Sequence, residues 1–336
     1  MKIERRRLSL SGEGLVEFAP SAEAPDLLLL ATPGFEAVDI AGWLSAHREL
    51  VEAKLAGHGA ILFRGFPMQS VSAFEELIVA AGQTPLEYRY ASTPRQRVAG
   101  SIYTSTEYPA DQSIPLHNEM SYQRAWPLKA WFYCVRPADS GGETPLADSR
   151  KVLERIRPEV REQFTRRGVQ YVRNYGSGLD LPWQAVFHTE DRGQVESFCR
   201  GEGIEFEWMG RDRLRTIQVC QGVATHPKTG EAVWFNQAHL FHVTSLLPEM
   251  RAMLLAELGE RELPRNAFYG DGAPIEPSAL EEIREAYGRE EVRFRWRASD
   301  LLLVDNMLAA HGRRPFSGER KLLVGLSELH RETSPP

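Results

Sequence analysis

The residues best equipped for chemistry in this chain are histidines followed two positions later by glutamate. Four such pairs occur: His47–Glu49, His117–Glu119, His188–Glu190 and His330–Glu332. An imidazole nitrogen and a carboxylate oxygen converging on one point can bind Fe(II), zinc or manganese. Convergence depends on the backbone. In a helix, residues i and i+2 are turned about 200° apart. In an extended chain they share a face, about 7 Å apart. His47 falls in a helical pattern, His188 borders a helical insert and His330 lies in the C-terminal tail, so these three read as ordinary polar residues. His117–Glu119, in SIPLHNEMSY, is different. Pro115 disfavours helix for the residue before it, and strand-like WFYCV follows.

Two ligands need a third. The available histidines are His188, His226, His239, His242 and His311, and His311 is preferred because it sits between the apolar runs DLLLV and KLLVGL. Two histidines and one carboxylate on one face of an octahedral ion leave three positions open. A 2-oxo acid fills two of them through its keto oxygen and C1 carboxylate, and dioxygen takes the third. The distal carboxylate of 2-oxoglutarate then calls for a planar, two-pronged cation. Arg320, nine positions after His311, supplies one, and Thr144, just after GGE, adds a hydroxyl. Taken singly, each residue has a bland reading: a structural histidine, a surface arginine, a strand threonine. The ordered set carries the hypothesis.

These residues need strands to hold them. Residues 36–59 carry apolar positions at helical spacing, ending at Gly57 and Gly59. AILFRGF follows as a buried strand, then SVSAFEELIVAAG as a helix capped by Ser70 or Ser72. From about Tyr103 short strands dominate: KAWFYCVRP and GGETPLAD around a Gly-Gly turn, then RTIQVCQGVATH, EAVWFNQ, EVRFRWR, DLLLVDN and KLLVGLSE. Helices are expected over 149–168, 247–261 and 277–288. The stretch 171–214 breaks the strand rhythm and reads as a lid-like insertion. Short strands that do not alternate with helices favour an antiparallel jelly roll over a parallel α/β sheet.

Composition narrows the partners. A net charge of −6 argues against nucleic acid or an anionic membrane. No apolar run approaches the ~20 residues needed to cross a bilayer. MKIERRR reads as a solvated first strand, not a targeting peptide. Cys134, Cys199 and Cys220 lack CxxC spacing and read as reduced thiols of a cytoplasmic protein.

Several long stretches, among them GAILFRGF, YTSTEYPADQSIPLHNEMSY, GGETPLADSR, HPKTGEAVWFNQAHLFH and LLLVDNMLAAHGRRPFSGERK, together span most of the chain. With them the chain resembles the taurine dioxygenase-like (TauD/TfdA) family of Fe(II)- and 2-oxoglutarate-dependent oxygenases. Within it, the chain is most similar to the syringomycin-biosynthesis aspartate hydroxylase group. The resemblance implies a mainly β fold with added helices, a double-stranded β-helix (a cupin-like jelly roll) in a single domain over 1–336. It implies His117, Glu119 and His311 as iron ligands, and Thr144 and Arg320 as 2-oxoglutarate anchors. Arg313, Arg314 and Lys321 are close enough in sequence to compete with Arg320. Glu119 stands where many members have Asp; related halogenases have a small residue there, so a carboxylate favours hydroxylation.

The implied reaction consumes O2, converts 2-oxoglutarate to succinate and carbon dioxide, and hydroxylates an unactivated C–H. The implied substrate is an amino acid, at its β-carbon, free or tethered to a peptidyl carrier protein, in specialised metabolism. Tyr103, Thr104, Glu107, Asn236, Gln237 and His239 are the candidate substrate contacts, and Arg150, Arg155, Arg166 and Arg167 the candidate carrier-docking patch. The resemblance is also compatible with a homo-oligomer. Alternatives are the same chemistry on a free small acid, sulfonate or betaine, desaturation or epoxidation, and a non-redox metal-binding jelly roll.

Overall fold

The computed structural model describes residues 12–35, 38–66, 71–87, 90, 96–105, 108–210 and 212–332. The basic N-terminal start, Ser70 and Glu107 lie outside them. Two sheets form the centre. The larger has eight strands in the order Val16–Pro20, Leu28–Pro33, Ala60–Phe63, Leu301–Asp305, Ala125–Arg136, Lys321–Arg331, Ile102–Thr104, Arg97–Ala99. The smaller has four: Val292–Phe294, Thr144–Asp148, Ala309–Arg313, Ile114–His117. In these two sheets the pairing is antiparallel, except that Leu28–Pro33 and Ala60–Phe63 run parallel.

Period-2 alternation explains how the larger sheet buries both faces. Leu302 and Val304 join Ala130, Phe132 and Val324 in a core shared with Leu146 and Ala309 of the smaller sheet. Their neighbours Leu301 and Leu303 join Trp131 and Tyr133 in a core shared with Trp43, Leu55 and Phe74 of the N-terminal helices. The site therefore sits on a slab covered from behind. This is the expected mainly β jelly roll with added helices.

Several boundaries differ from expectation. The helix expected over 36–59 is two, Ile40–Ala46 and Arg48–His58, because the chain turns at His47, which stacks on Trp43 with ring centroids 4.6 Å apart. Asp39 caps the first, and Gly59, at φ +111°, ends the second. Ser72 lies inside the next helix, Val71–Ala80, not at its cap. Pro158 starts a new helix, Pro158–Arg167, after Ser149–Arg155. His330 belongs to the last strand and packs on Trp126.

The segment 171–214 is not strand-free. Val169–Tyr175 and Glu205–Met209 belong to a third sheet with Arg213–Cys220 and Arg265–Tyr269. Buried polar residues Arg173 and Asn174 hide that strand from a hydrophobicity reading. Among the described residues, no helix is long and apolar enough to cross a membrane. The three cysteines are free and buried.

Candidate active site

His117 closes the Ile114–His117 strand, and His311 lies directly opposite it on the neighbouring strand. Their rings are 4.8 Å apart. Glu119 opens the turn that follows, so the chain leaves the strand between the two members of the pair while both still converge. Glu119 Oε1 is 3.5 Å from His117 Nε2 and 3.8 Å from His311 Nε2. One donor atom from each of the three lies within 4.8 Å of the others. Donors bound to one ion at about 2.1 Å sit roughly 3 Å apart when cis, so small side-chain rotations close the tripod. His117 Nδ1 lies 2.8 Å from the Pro115 carbonyl. Donation there leaves the Nε2 lone pair facing the cluster, the tautomer a metal requires. The donor set fits Fe(II).

Gly312 sets how closely the two histidine strands approach. A Cβ built on it would lie 2.5 Å from the Ile114 carbonyl oxygen and 3.2 Å from that of Pro115, the His117 anchor. Gly312→Ala must push the strands apart. It is expected to weaken Fe(II) affinity by ~10-fold or more and destabilise by about 1–3 kcal/mol, read by metal titration and chemical denaturation.

A small cleft opens beside His117 and His311. Ile114, Phe132, Leu322 and Val324 form its apolar wall; Ser105, Thr144, Arg313 and Arg320 supply polarity. Thr144 is buried, and its hydroxyl oxygen accepts the Trp296 indole N–H at 3.0 Å. Its own proton is thus directed to another acceptor. The Arg320 Nε–H donates to the Gly142 carbonyl at 3.1 Å. Burial, reinforced by Arg313, pushes the Arg320 guanidinium down to about 10. A half-buried cation lining a cleft is suited to hold an anion.

The competing arginines are committed elsewhere. Arg313 donates to the carbonyls of Tyr108, Pro109 and Gln112, and Arg314 pairs with Glu291.

The other expected contacts are placed differently. Asn236 donates to the Gly222 carbonyl, Gln237 to the Asn118 carbonyl, and His239 Nε2 to the Leu116 carbonyl. All three are buried and none lines the cleft. Gln237 and His239 brace the ligand segment through the Asn118 and Leu116 carbonyls; polarity in sequence does not say which way a loop faces. Tyr103 is in the intersheet core, and Thr104 accepts the Gln96 amide. The arginine patch is largely neutralised: Arg150, Arg155 and Arg167 pair with Asp148, Glu290 and Asp271.

The remaining histidines are structural. His226 Nε2 lies 3.0 Å from Asp305 Oδ2, and His188 ends a short helix at φ +52°. His242 Nδ1 accepts the Thr244 amide at 3.1 Å. Burial lowers the pKa of His242 to about 4 and that of His239 to about 3. In the unfolded chain each takes a proton near pH 6.5. Their contribution is therefore complete above pH 6.5 and is lost as pH falls towards the folded values, by about 1.4 kcal/mol per pH unit for each group. Denaturation curves at pH 7.5, 6 and 5 are expected to show that decline, and His242→Asn to make it shallower.

Comparisons with known proteins identify the family. The taurine catabolism dioxygenase TauD, TfdA family matches residues 22–326. The chain is 41% identical over 276 residues to dapdiamide synthesis protein DdaC of Enterobacter agglomerans, covering 82% of this chain and 84% of that one. It is 31% identical over 321 residues to a clavaminate synthase-like protein of Arabidopsis thaliana, covering 91% of each. In fold it is similar to PvcB of Pseudomonas aeruginosa, with TM-score 0.57, 15% identity, and 95% and 94% of the two chains covered. The match across most of the chain, with a His-Glu-His cluster in a jelly-roll cleft, places this protein in the TauD/TfdA family of Fe(II)- and 2-oxoglutarate-dependent dioxygenases.

Proposed function

We propose that this dioxygenase hydroxylates an unactivated C–H, at the β-carbon of an amino acid, in specialised-metabolite biosynthesis. The observation that carries the reading is the buried carboxylate of Glu119 between His117 and His311, beside a cleft that ends in Thr144 and Arg320. Bound Fe(II), with 2-oxoglutarate and dioxygen, supplies the oxidising chemistry. The chain's own residues do the rest. His117, Glu119 and His311 would hold the metal. Arg320 and Thr144 grip the distal carboxylate of 2-oxoglutarate. Phe132, Leu322 and Val324 keep the cleft dry.

The relative named for dapdiamide synthesis supports a biosynthetic setting. The subgroup resemblance supports an amino acid, free or carrier-bound. Of the four arginines proposed as a carrier-docking patch, Arg150, Arg155 and Arg167 already pair with carboxylates, which lessens the positive charge they would offer. Within 171–214, residues 176–182 form a loop tethered by the Asp180–Arg265 ion pair, the part of the proposed lid without regular structure next to the third sheet. Family membership leaves the non-redox alternative without support.

The test is a succinate-release screen of free amino acids against the same residues loaded on a carrier protein, with product mass measured. A hydroxylated amino acid is the expected product. Loss of two hydrogens would make the enzyme a desaturase. Turnover only with a sulfonate, betaine or simple acid would overturn the amino-acid reading.

A further inference from the structure

We infer that Asn306 is a positioning residue for Glu119, an assignment that rests on reading the His117, Glu119 and His311 cluster as the metal site. Asn306 is fully buried and follows the central strand Leu301–Asp305. Its carboxamide holds both peptide groups of Glu119. Oδ1 accepts the Glu119 N–H at 2.7 Å, and Nδ2 donates to the Glu119 carbonyl at 2.9 Å. Nδ2 also donates to the Pro127 carbonyl at 2.8 Å. This pattern fixes the orientation of the amide, because a flipped group would set NH2 against N–H.

Glu119 stands in particular need of such a clamp. It lies just beyond the strand that carries His117, and the next residue, Met120, adopts φ +57°, a left-handed conformation uncommon for a side chain of that kind. The carboxylate hangs on a flexible stem from this turn, and a productive site tolerates only about 0.5 Å of drift.

The main chain of Asn306 joins the same network. Its carbonyl accepts Asn118 Nδ2 at 2.7 Å, and its N–H donates to the Leu128 carbonyl at 2.8 Å. Asn118, between the two ligands, also donates to Ser149 Oγ at 3.1 Å, and its carbonyl accepts Gln237 Nε2 at 2.8 Å. The segment from Asn306 to His311 therefore serves the cluster twice: it carries one ligand and aligns another.

A purely structural role is the rival, and Asn174 provides the control. It is also buried, in the third sheet, and its Nδ2 donates to the carbonyls of Arg261 and Leu263. Wild type, Asn306→Ala, Asn306→Asp and Asn174→Ala would be compared by anaerobic titration with Fe(II) or Co(II), and by thermal melts without metal. Both alanine variants are expected to lose a similar amount of melting temperature. Only Asn306→Ala should also bind metal ~10- to 100-fold more weakly. Asn306→Asp keeps an acceptor for the Glu119 N–H and loses both donations, so it should fall between Asn306→Ala and wild type. Absence of metal binding by wild type would overturn the metal-site reading itself. With wild type binding, unchanged affinity in Asn306→Ala, or equal weakening in Asn174→Ala, would overturn the positioning role alone. So would failure of both Asn306 variants to fold, which would make Asn306 a folding residue.

Discussion

Glu119→Ala is expected to lower substrate-dependent succinate release by at least ~10³-fold. Loss of a partner that merely orients a ligand costs about 10- to 100-fold, and removal of the ligand itself must cost more. The carboxylate is also the one anionic ligand of the three and is 3% exposed, so water cannot replace its charge without rearrangement. Glu119→Asp separates charge from reach. It keeps the anion on a stem one methylene shorter, and the His117 and His311 nitrogens stand 3.5 and 3.8 Å from the present oxygen. A loss intermediate between wild type and Glu119→Ala is expected. The measurement is succinate release, with the visible absorption that anaerobic Fe(II) and 2-oxoglutarate give together as an independent readout. Wild-type activity in Glu119→Ala would remove this residue from the site.

Arg320→Gln is expected to raise the KM for 2-oxoglutarate by roughly 30- to 4,000-fold. Truncating one partner of a buried, hydrogen-bonded charge pair costs about 2–5 kcal/mol, and each 1.4 kcal/mol is tenfold. Arg320→Lys restores charge but not the fork, so it should recover part of the loss. The neighbouring arginines sharpen the comparison. Arg313→Ala leaves three carbonyl acceptors short of a donor and should lower stability. Arg314→Ala breaks a half-exposed pair with Glu291, worth at most about 1 kcal/mol. Neither should move KM for 2-oxoglutarate as far as Arg320→Gln does.

The site's polar centre was legible because its chemistry is carried by residue types at strand spacing. His117 and Glu119 stand out once the other three pairs are set in helices or tails, and His311, Thr144 and Arg320 follow from what a 2-oxo acid needs. The geometry then gathers His117, His311, Thr144 and Arg320 around one cleft, with Glu119 beside the two histidines. What supports them was not legible. Asn306 lies 187 residues from Glu119 in sequence, and nothing local in VDNML announces the contact. Gly312 looks like any glycine until the opposite strand is seen 2.5 Å from its missing Cβ. The side chains of Asn236, Gln237 and His239 suit a rim or a buried brace equally well, and tertiary packing buries them outside the cleft lining. Element type proved more legible than element ends. The breaks at His47 and Pro158 fall inside patterns whose apolar spacing continues across them.

The pairing of His117 with His311 sets the order in which this protein can be made. The two strands are close to two hundred residues apart, so their contact closes a very large loop, and such contacts form late. A chain emerging from the ribosome exposes His117 and Glu119 long before it has a partner for them. Until the C-terminal strands dock, there is no tripod to retain iron. Metal loading is thus gated by completion of the fold, and a polypeptide truncated before residue 311 is spared the burden of a half-built oxidant. Pulsed metalation of stalled nascent chains would place that threshold at the release of the last strands.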